Sequence, residues 1–203
     1  MRLMCGTLRV RHLRQAFSWL RVFSAPQQSV PKVRRDDMHS TLRQAQGRHV
    51  IDATYEKNMA KILLRPVLSS DLPIFFEQQL DREAVAMSAY PAKDRGEFMR
   101  HWEGILKNKA VIARAIIYKE KIVGHLLCWK EGRFEQRVGY WIGKQFWGRG
   151  IATSALREFL VEVRIHPLYA EVANHNVASK RVLEKNGFTL HDEGAKISKF
   201  KLD

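Results

Sequence analysis

The chain of 203 residues is 45% hydrophobic and 28% charged, which is typical of a globular domain with a packed core. It has no run of about 18 apolar residues, so no membrane-spanning helix is predicted, and its two cysteines, Cys5 and Cys128, are too few for a disulfide scaffold or a thiolate zinc site. The net charge of +14 favours polyanionic ligands, such as RNA, DNA, anionic lipid or a nucleotide-like cofactor, without choosing among them.

The basic charge is densest at the start of the chain. Residues 1–58 and residues 59–203 each carry a net charge of +7, and residues 1–35 contain no acidic residue. Leucines among these arginines have the outline of a mitochondrial presequence. In contrast, residues 40–47 resemble a translated intergenic repeat, which favours a start-site artefact. We therefore predict that residues 1–58 are a basic, disordered extension (an artefact or a targeting segment, with a functional basic arm as the alternative) and that the working domain begins at or near Met59.

From Met59 onward, the spacing of apolar residues predicts a regular succession of strands and helices. The predicted order, β-α-α-β-β-β-α-β-α-β-β, indicates one α+β domain in residues 59–203. The elements are a strand at 62–67, helices at 71–80 and 93–107, strands at 110–118, 122–129 and 138–142, a helix at 151–163, a strand at 168–173, a helix at 177–185, and strands at 188–190 and 197–202.

The turn between the strand at 138–142 and the following helix contains Gly148-Arg-Gly150. Two glycines at the start of a helix allow a ligand to approach the backbone closely and point N–H groups at it, which favours an anion such as phosphate. A Walker loop is disfavoured, because Arg149-Gly150 stands where Lys-Ser/Thr is needed. A dinucleotide fingerprint is disfavoured too, because its third glycine is replaced by Thr153 and it lies too late in the chain.

A third interpretation rests on a resemblance to a known family. The segment from Gln145 to Gly150 resembles the Q/R-x-x-G-x-G/A motif of the GNAT family of N-acetyltransferases, and residues 176–188 resemble its N-x-x-S-x-x-x-x-E-K-x-G-F segment. The resemblance runs from about Ile62 to the C-terminus and is greatest to the branch that includes ribosomal-protein N-terminal acetyltransferases. It implies the acyl-CoA N-acyltransferase fold, a single mixed, mostly antiparallel sheet flanked by helices.

The resemblance also implies acetyl-CoA as cosubstrate and no metal. The pyrophosphate would bind the N–H groups of residues 148–152, and the pantetheine arm would lie along the strand at 138–142. Asn176 would hydrogen-bond the pantetheine, Ser179 would protonate the leaving thiolate, and a backbone N–H near Trp141 or Ile142 would hold the oxyanion. The implied cofactor-binding residues are Trp141, Ile142, Gln145, Gly148, Arg149, Gly150, Ile151, Ala152 and Asn176.

Two positions depart from the family pattern. Many relatives have a proton-donating tyrosine where this chain has Leu183, which leaves Ser179 or water as the acid. Many members of the nearer branch have a glutamate base where this chain has Arg137. The nearest carboxylate is Glu135, two residues back and therefore on the same strand face, so Glu135 is the candidate base. The alternative is that Glu135 is a solvated turn residue.

We therefore expect a cytoplasmic acetyl-CoA-dependent N-acetyltransferase that acts on a primary amine, either a protein N-terminus or a small metabolite. Direct attack by the bound amine needs no nucleophilic side chain. The histidines show no metal-ligand spacing, and neither a membrane nor a nucleic acid is expected as partner. The alternative from another class is a non-catalytic module on a degenerate acyltransferase fold that binds RNA or another polyanion. The sequence predicts no oligomeric state.

Overall fold

The computed structural model describes residues 61–133 and 135–203. The predictions for residues 1–58 and for a start at Met59 lie outside these residues. The described strands are β1 (Leu63–Pro66), β2 (Ile112–Tyr118), β3 (Lys121–Glu131), β4 (Glu135–Ile142), β5 (Leu168–Ala173), β6 (Thr189–Glu193) and β7 (Ile197–Leu202). The α-helices are α1 (Leu72–Gln79), α2 (Arg82–Ala86), α3 (Arg95–Lys107), α4 (Ile151–Glu162) and α5 (Val177–Lys185), with short 3-10 turns at Ser69–Asp71 and Lys144–Phe146.

The predicted fold class and element order are confirmed, apart from one missed helix. Helix α2 has five residues, too short for a helical period to show in the sequence. Its start is nevertheless encoded locally, because the Asp81 side chain accepts hydrogen bonds from the N–H groups of Glu83 and Ala84, both at 3.0 Å. Strand β6 ends at Glu193, three residues beyond the predicted strand at 188–190. The sequence did not indicate this extension, because the residues of β6 are all exposed and show no apolar alternation.

The strands form one mixed sheet of seven in the order β1-β2-β3-β4-β5-β7-β6. Among the described strands, only β4 and β5 are parallel neighbours, and they pair only at Gln136 with Leu168 and at Arg137 with Tyr169. Beyond this point β4 continues to Ile142 and β5 to Ala173, each still paired with its other neighbour. The two strands therefore separate and leave an opening between residues 138–142 and residues 170–173, which we call the fork.

Helices cover both faces of this sheet. Helices α4 and α5 pack on one face, where Leu156, Phe159 and Leu183 contribute to the larger core. Helices α1 and α3 pack on the other, where Phe75, Phe98 and Trp102 are 1–3% exposed. Phe98 and Trp102 are thus core residues, and so is Cys128. Each large apolar side chain buried in this way contributes about 2 kcal/mol.

Side chains along β4 alternate between these two faces. Val138, Tyr140 and Ile142 belong to the α4/α5 face, whereas Arg137 and Trp141 point to the α1/α3 face. The fork is therefore accessible to groups from both layers. No helix in the described part of the chain is long and apolar enough to cross a membrane.

Candidate active site

The glycine turn joins the end of β4 to the start of α4. Gly148 and Gly150 have φ values of +72° and +71°, in the left-handed region that disfavours other residues, and Gly150 is the N-cap of α4. A Cβ placed on either glycine would meet no heavy atom within 4 Å. The glycines are therefore required by the backbone conformation, and they leave the main chain open to close approach by a ligand.

The start of α4 presents N–H groups that have no acceptor within the helix. The first N–H with a carbonyl partner at this end is that of Ser154, which donates to Gly150 O at 3.0 Å. The N–H groups of residues 151–153 precede it and have no intrahelical acceptor. The first turn carries no acidic side chain, so the positive end of the helix dipole is available to an anion. Ile151 is 1% exposed and fixes this end of the helix in the core.

Side chains around the turn hold it in place. Trp147 Nε1 donates to Ile142 O at 2.8 Å, and Arg149 Nη2 donates to Gln145 O at 3.1 Å. The Arg149 guanidinium also lies 5.9 Å from the centre of the Phe146 ring. The structure therefore brings the predicted residues of the turn together in one fixed loop, with the Arg149 side chain at its exposed surface.

Asn176 begins α5 and fastens it to α2. Its Oδ1 accepts from Ser179 N and its Nδ2 donates to Met87 O, both at 2.9 Å. The neighbouring His175 Nε2 lies 2.7 Å from Ala86 O. Both polar atoms of the Asn176 side chain thus have protein partners, so the predicted contact with pantetheine would use the second Nδ2 hydrogen or share Oδ1. The cap and the link to α2 are roles that the sequence did not indicate.

The predicted acid Ser179 has a partner that sequence reasoning missed. Its Oγ lies 2.8 Å from Tyr140 Oη, which connects α5 to β4. Burial raises the pKa of Tyr140 to about 12, so its phenol is protonated at neutral pH. Leu183 is 1% exposed in the core and offers no hydroxyl. The sequence gives one sign of this contact, since a tyrosine on the inward face of a strand needs a hydrogen-bond partner for its hydroxyl.

The predicted base Glu135 belongs to an ion-pair network on the other face. Its carboxylate lies 2.6 Å from Lys199 Nζ and 2.9 Å from Arg137 Nη2. Arg137 is 9% exposed, and its Nη1 lies 2.8 Å from Glu171, which accepts from Tyr90 Oη at 3.2 Å. Burial alone would raise the pKa of Glu135, but hydrogen bonds from Lys199 and Arg137 hold it below its ordinary value. Glu171 and Lys199 were not predicted as site residues.

Comparison with known proteins bears on this arrangement. A family model described as "Acetyltransferase (GNAT) domain" matches residues 61–189, well over half of the chain. The chain belongs to the GNAT family. The predicted family is thereby confirmed, and this GNAT protein is classed as an acetyltransferase. No curated protein matches it in sequence.

Solved structures share the GNAT fold. RimL, a ribosomal L7/L12 alpha-N-protein acetyltransferase in complex with coenzyme A, has 18% identity and a TM-score of 0.60 over 70% of this chain and 93% of its own. Spermidine N-acetyltransferase from Vibrio cholerae, in complex with CoA and spermine, has 14% identity and a TM-score of 0.59 over 70% and 94%. RimJ from Mycobacterium smegmatis, in complex with CoA-disulfide, has 22% identity and a TM-score of 0.56 over 70% and 81%.

The Glu135 network allows a test of whether Glu135 is the general base of this GNAT protein. Because Lys199 and Arg137 lower its pKa, Glu135 is a weak proton acceptor. We expect Glu135→Gln to keep kcat/KM for the amine within about threefold of the unmodified value at each pH, whereas loss of a general base costs about 10²–10⁴-fold. The measurement is the pH profile of kcat/KM. A loss of about 100-fold or more would instead identify Glu135 as the base.

Proposed function

We propose that this protein transfers the acetyl group of acetyl-CoA to a primary amine by direct attack while both substrates are bound. The proposal rests on one observation, which is that the open edge of β4 and the glycine turn are continuous. The edge of β4 that faces away from β3 pairs with no described strand at residues 138–142, and it leads through residues 143–147 into the uncovered Gly148 to Gly150 backbone at the N-terminus of α4. A long ligand with phosphates at one end and amide groups along its length fits both.

The residues present fit such a ligand. The N–H groups of residues 148–152 would bind the pyrophosphate, and the free edge of β4 would pair with the amides of pantetheine as an added strand does. Acetyl-CoA would supply the thioester that the amine attacks. A backbone N–H near Trp141 or Ile142 would hold the developing oxyanion, and Ser179 would give a proton to the leaving sulfur.

Charge on the α1/α3 face supports an acceptor with a single ammonium group. In the network beside the fork, Glu131, Glu135 and Glu171 face Arg137 and Lys199, and this excess of one carboxylate suits one ammonium group better than a polycation. The names of the solved neighbours include both a ribosomal-protein alpha-amine and spermidine as acceptors. Of these two classes, we favour a protein N-terminus, or a small metabolite with one amine, over a polyamine.

The test is calorimetric titration of acetyl-CoA and free CoA into the full chain, followed by an amine screen that measures thiol release. We expect micromolar binding, turnover of peptides with a free N-terminus, and no turnover of the same peptides with a blocked N-terminus. Spermidine is the comparison amine. A folded protein that binds neither acetyl-CoA nor CoA would overturn the proposal. RNA binding with a steep salt dependence would then favour the polyanion-binding alternative.

A further inference from the structure

The contact between Tyr140 and Ser179 lies in the open part of the fork. Tyr140 stands three residues beyond Arg137, the last residue of β4 that pairs with β5. Ser179 is the third residue of α5, the helix that follows β5. The two hydroxyls, 2.8 Å apart, therefore connect one arm of the fork to the helix at the end of the other arm.

Only one hydrogen can lie between two hydroxyl oxygens, so the pair has one hydrogen to offer elsewhere. The Ser179 N–H is already taken by Asn176. Tyr140 Oη also lies 3.4 Å from Ser179 O, a distance too long for a strong hydrogen bond. Burial keeps the phenol protonated by raising its pKa to about 12. When Tyr140 donates to Ser179 Oγ, the serine hydrogen is therefore directed away from the tyrosine and is available to a ligand atom.

We propose that Tyr140 is a positioning residue that orients the Ser179 hydroxyl toward the sulfur of CoA and replaces the proton that Ser179 gives away. This inference rests on the proposed function. As the amine nitrogen bonds to the acetyl carbon, the C–S bond breaks and its electron pair passes to sulfur. Sulfur takes the Ser179 proton, Ser179 takes the Tyr140 proton, and water returns one to Tyr140. The proton lost by the nitrogen goes to solvent.

The pairing also accounts for Leu183. In many relatives a tyrosine on this helix protonates the thiolate, but here the position is filled by a leucine that is 1% exposed. Strand β4 supplies a phenol to the same helix through Ser179, so the chain retains a tyrosine hydroxyl at the fork. A purely structural bond between β4 and α5 is the competing explanation, and the experiment must separate the two.

The first test is the pKa of the CoA thiol when CoA is bound, measured by the ultraviolet absorbance of the thiolate. Tyr140→Phe keeps the ring and removes only the hydroxyl. If the hydroxyl pair donates to sulfur, the thiolate is stabilised, so Tyr140→Phe and Ser179→Ala should each raise the pKa of the bound thiol by about one unit. A structural role would leave this pKa unchanged. Tyr118→Phe, which deletes the same atom on β2, is the matched control.

The second test is a double-variant cycle on acetyl transfer to an amine found in the screen. We expect Tyr140→Phe to lower kcat by about 10–100-fold, with little change in the KM for acetyl-CoA. Because Tyr140 acts through Ser179, adding Tyr140→Phe to Ser179→Ala should cause no further loss. Losses that multiply in the double variant would show that the two hydroxyls act independently and would overturn the inference.

The outcomes distinguish the two proposals. If CoA does not bind the full chain, the proposed function fails and the role of Tyr140 fails with it. If CoA binds and Tyr140→Phe changes neither the thiol pKa nor kcat, only the Tyr140 inference is overturned. Thermal unfolding of each variant identifies any loss that comes from misfolding.

Discussion

Gly150→Glu is expected to lower the affinity for acetyl-CoA by at least about 100-fold, equivalent to about 3 kcal/mol, while the protein stays folded. Gly150 has a φ of +71°, so a side chain there costs about 1–2 kcal/mol of backbone strain. A Cβ at this position meets no heavy atom within 4 Å, so no steric clash adds to the strain. The new carboxylate would lie at the N-terminus of α4. There it would repel the pyrophosphate and occupy the backbone N–H groups that would otherwise bind the pyrophosphate.

Gly132→Glu is the matched control for this substitution. Gly132 lies in the turn between β3 and β4, at the opposite end of β4 from the glycine turn. Its φ is +60° and a Cβ there also meets no atom within 4 Å, so the two variants carry the same strain and the same added charge. Both should lose similar stability in thermal unfolding, but only Gly150→Glu should lose binding in calorimetry. Equal loss of binding in both variants would contradict a phosphate site at Gly150.

The glycine turn and its helix could be predicted because their determinants are local. Apolar residues recur at every second position in β4 and at helical spacing in α4, and the change occurs at Gly150. The end of α5 is encoded in the same way, since Asn186-Gly187 follows the helix directly and Gly187 has a φ of +86°, the left-handed conformation that commonly ends a helix. In both places a few neighbouring residues determine the backbone conformation, and tertiary contacts do not override it.

The contacts around the fork could not be predicted, because they join residues far apart in the chain. Tyr140 is 39 residues from Ser179, and Tyr90 is 81 residues from Glu171. Alternation along β4 indicates which face Tyr140 occupies, but not which hydroxyl it meets. Similarly, the two-residue spacing correctly placed Glu135 beside Arg137. It gave no indication of Lys199, which is 64 residues away and changes the charge environment of Glu135.

Two histidines on the α1/α3 face are expected to destabilise the protein in mild acid. The His125 ring lies 4.7 Å from the Phe75 ring and 4.8 Å from the Trp102 ring. Burial, with a smaller effect of His101, lowers the pKa of His125 to about 3. Burial and the charge of Lys93 lower the pKa of His101 to about 4, against an opposing effect of Glu97. Both rings are therefore neutral in the folded protein at pH 5.

The sign of the effect follows from proton linkage. A histidine in the unfolded chain takes up a proton below about pH 6.5. In the folded protein, His101 takes up its proton only near its pKa of about 4, and His125 only near its pKa of about 3. The unfolded state therefore binds more protons in this window, and the free energy of unfolding falls as the pH falls from 6.5. At pH 5 each histidine should lower it by about 2 kcal/mol relative to pH 7.5. The carboxyls of Asp71 and Glu135 have lowered pKa values, so their stabilisation is lost only at lower pH.

The measurement is urea unfolding at pH 7.5 and pH 5 for the unmodified protein, His125→Phe, His101→Phe and the double variant. Each variant is compared with itself at the two pH values, so any packing cost of the new ring cancels. We expect each substitution to remove about 2 kcal/mol of the pH dependence and the double variant to remove about twice as much. If His125→Phe keeps the full pH dependence, His125 must take up its proton in the folded state. The ring would then have access to water or a partner in acid, and its packing between Phe75 and Trp102 would not exclude charge.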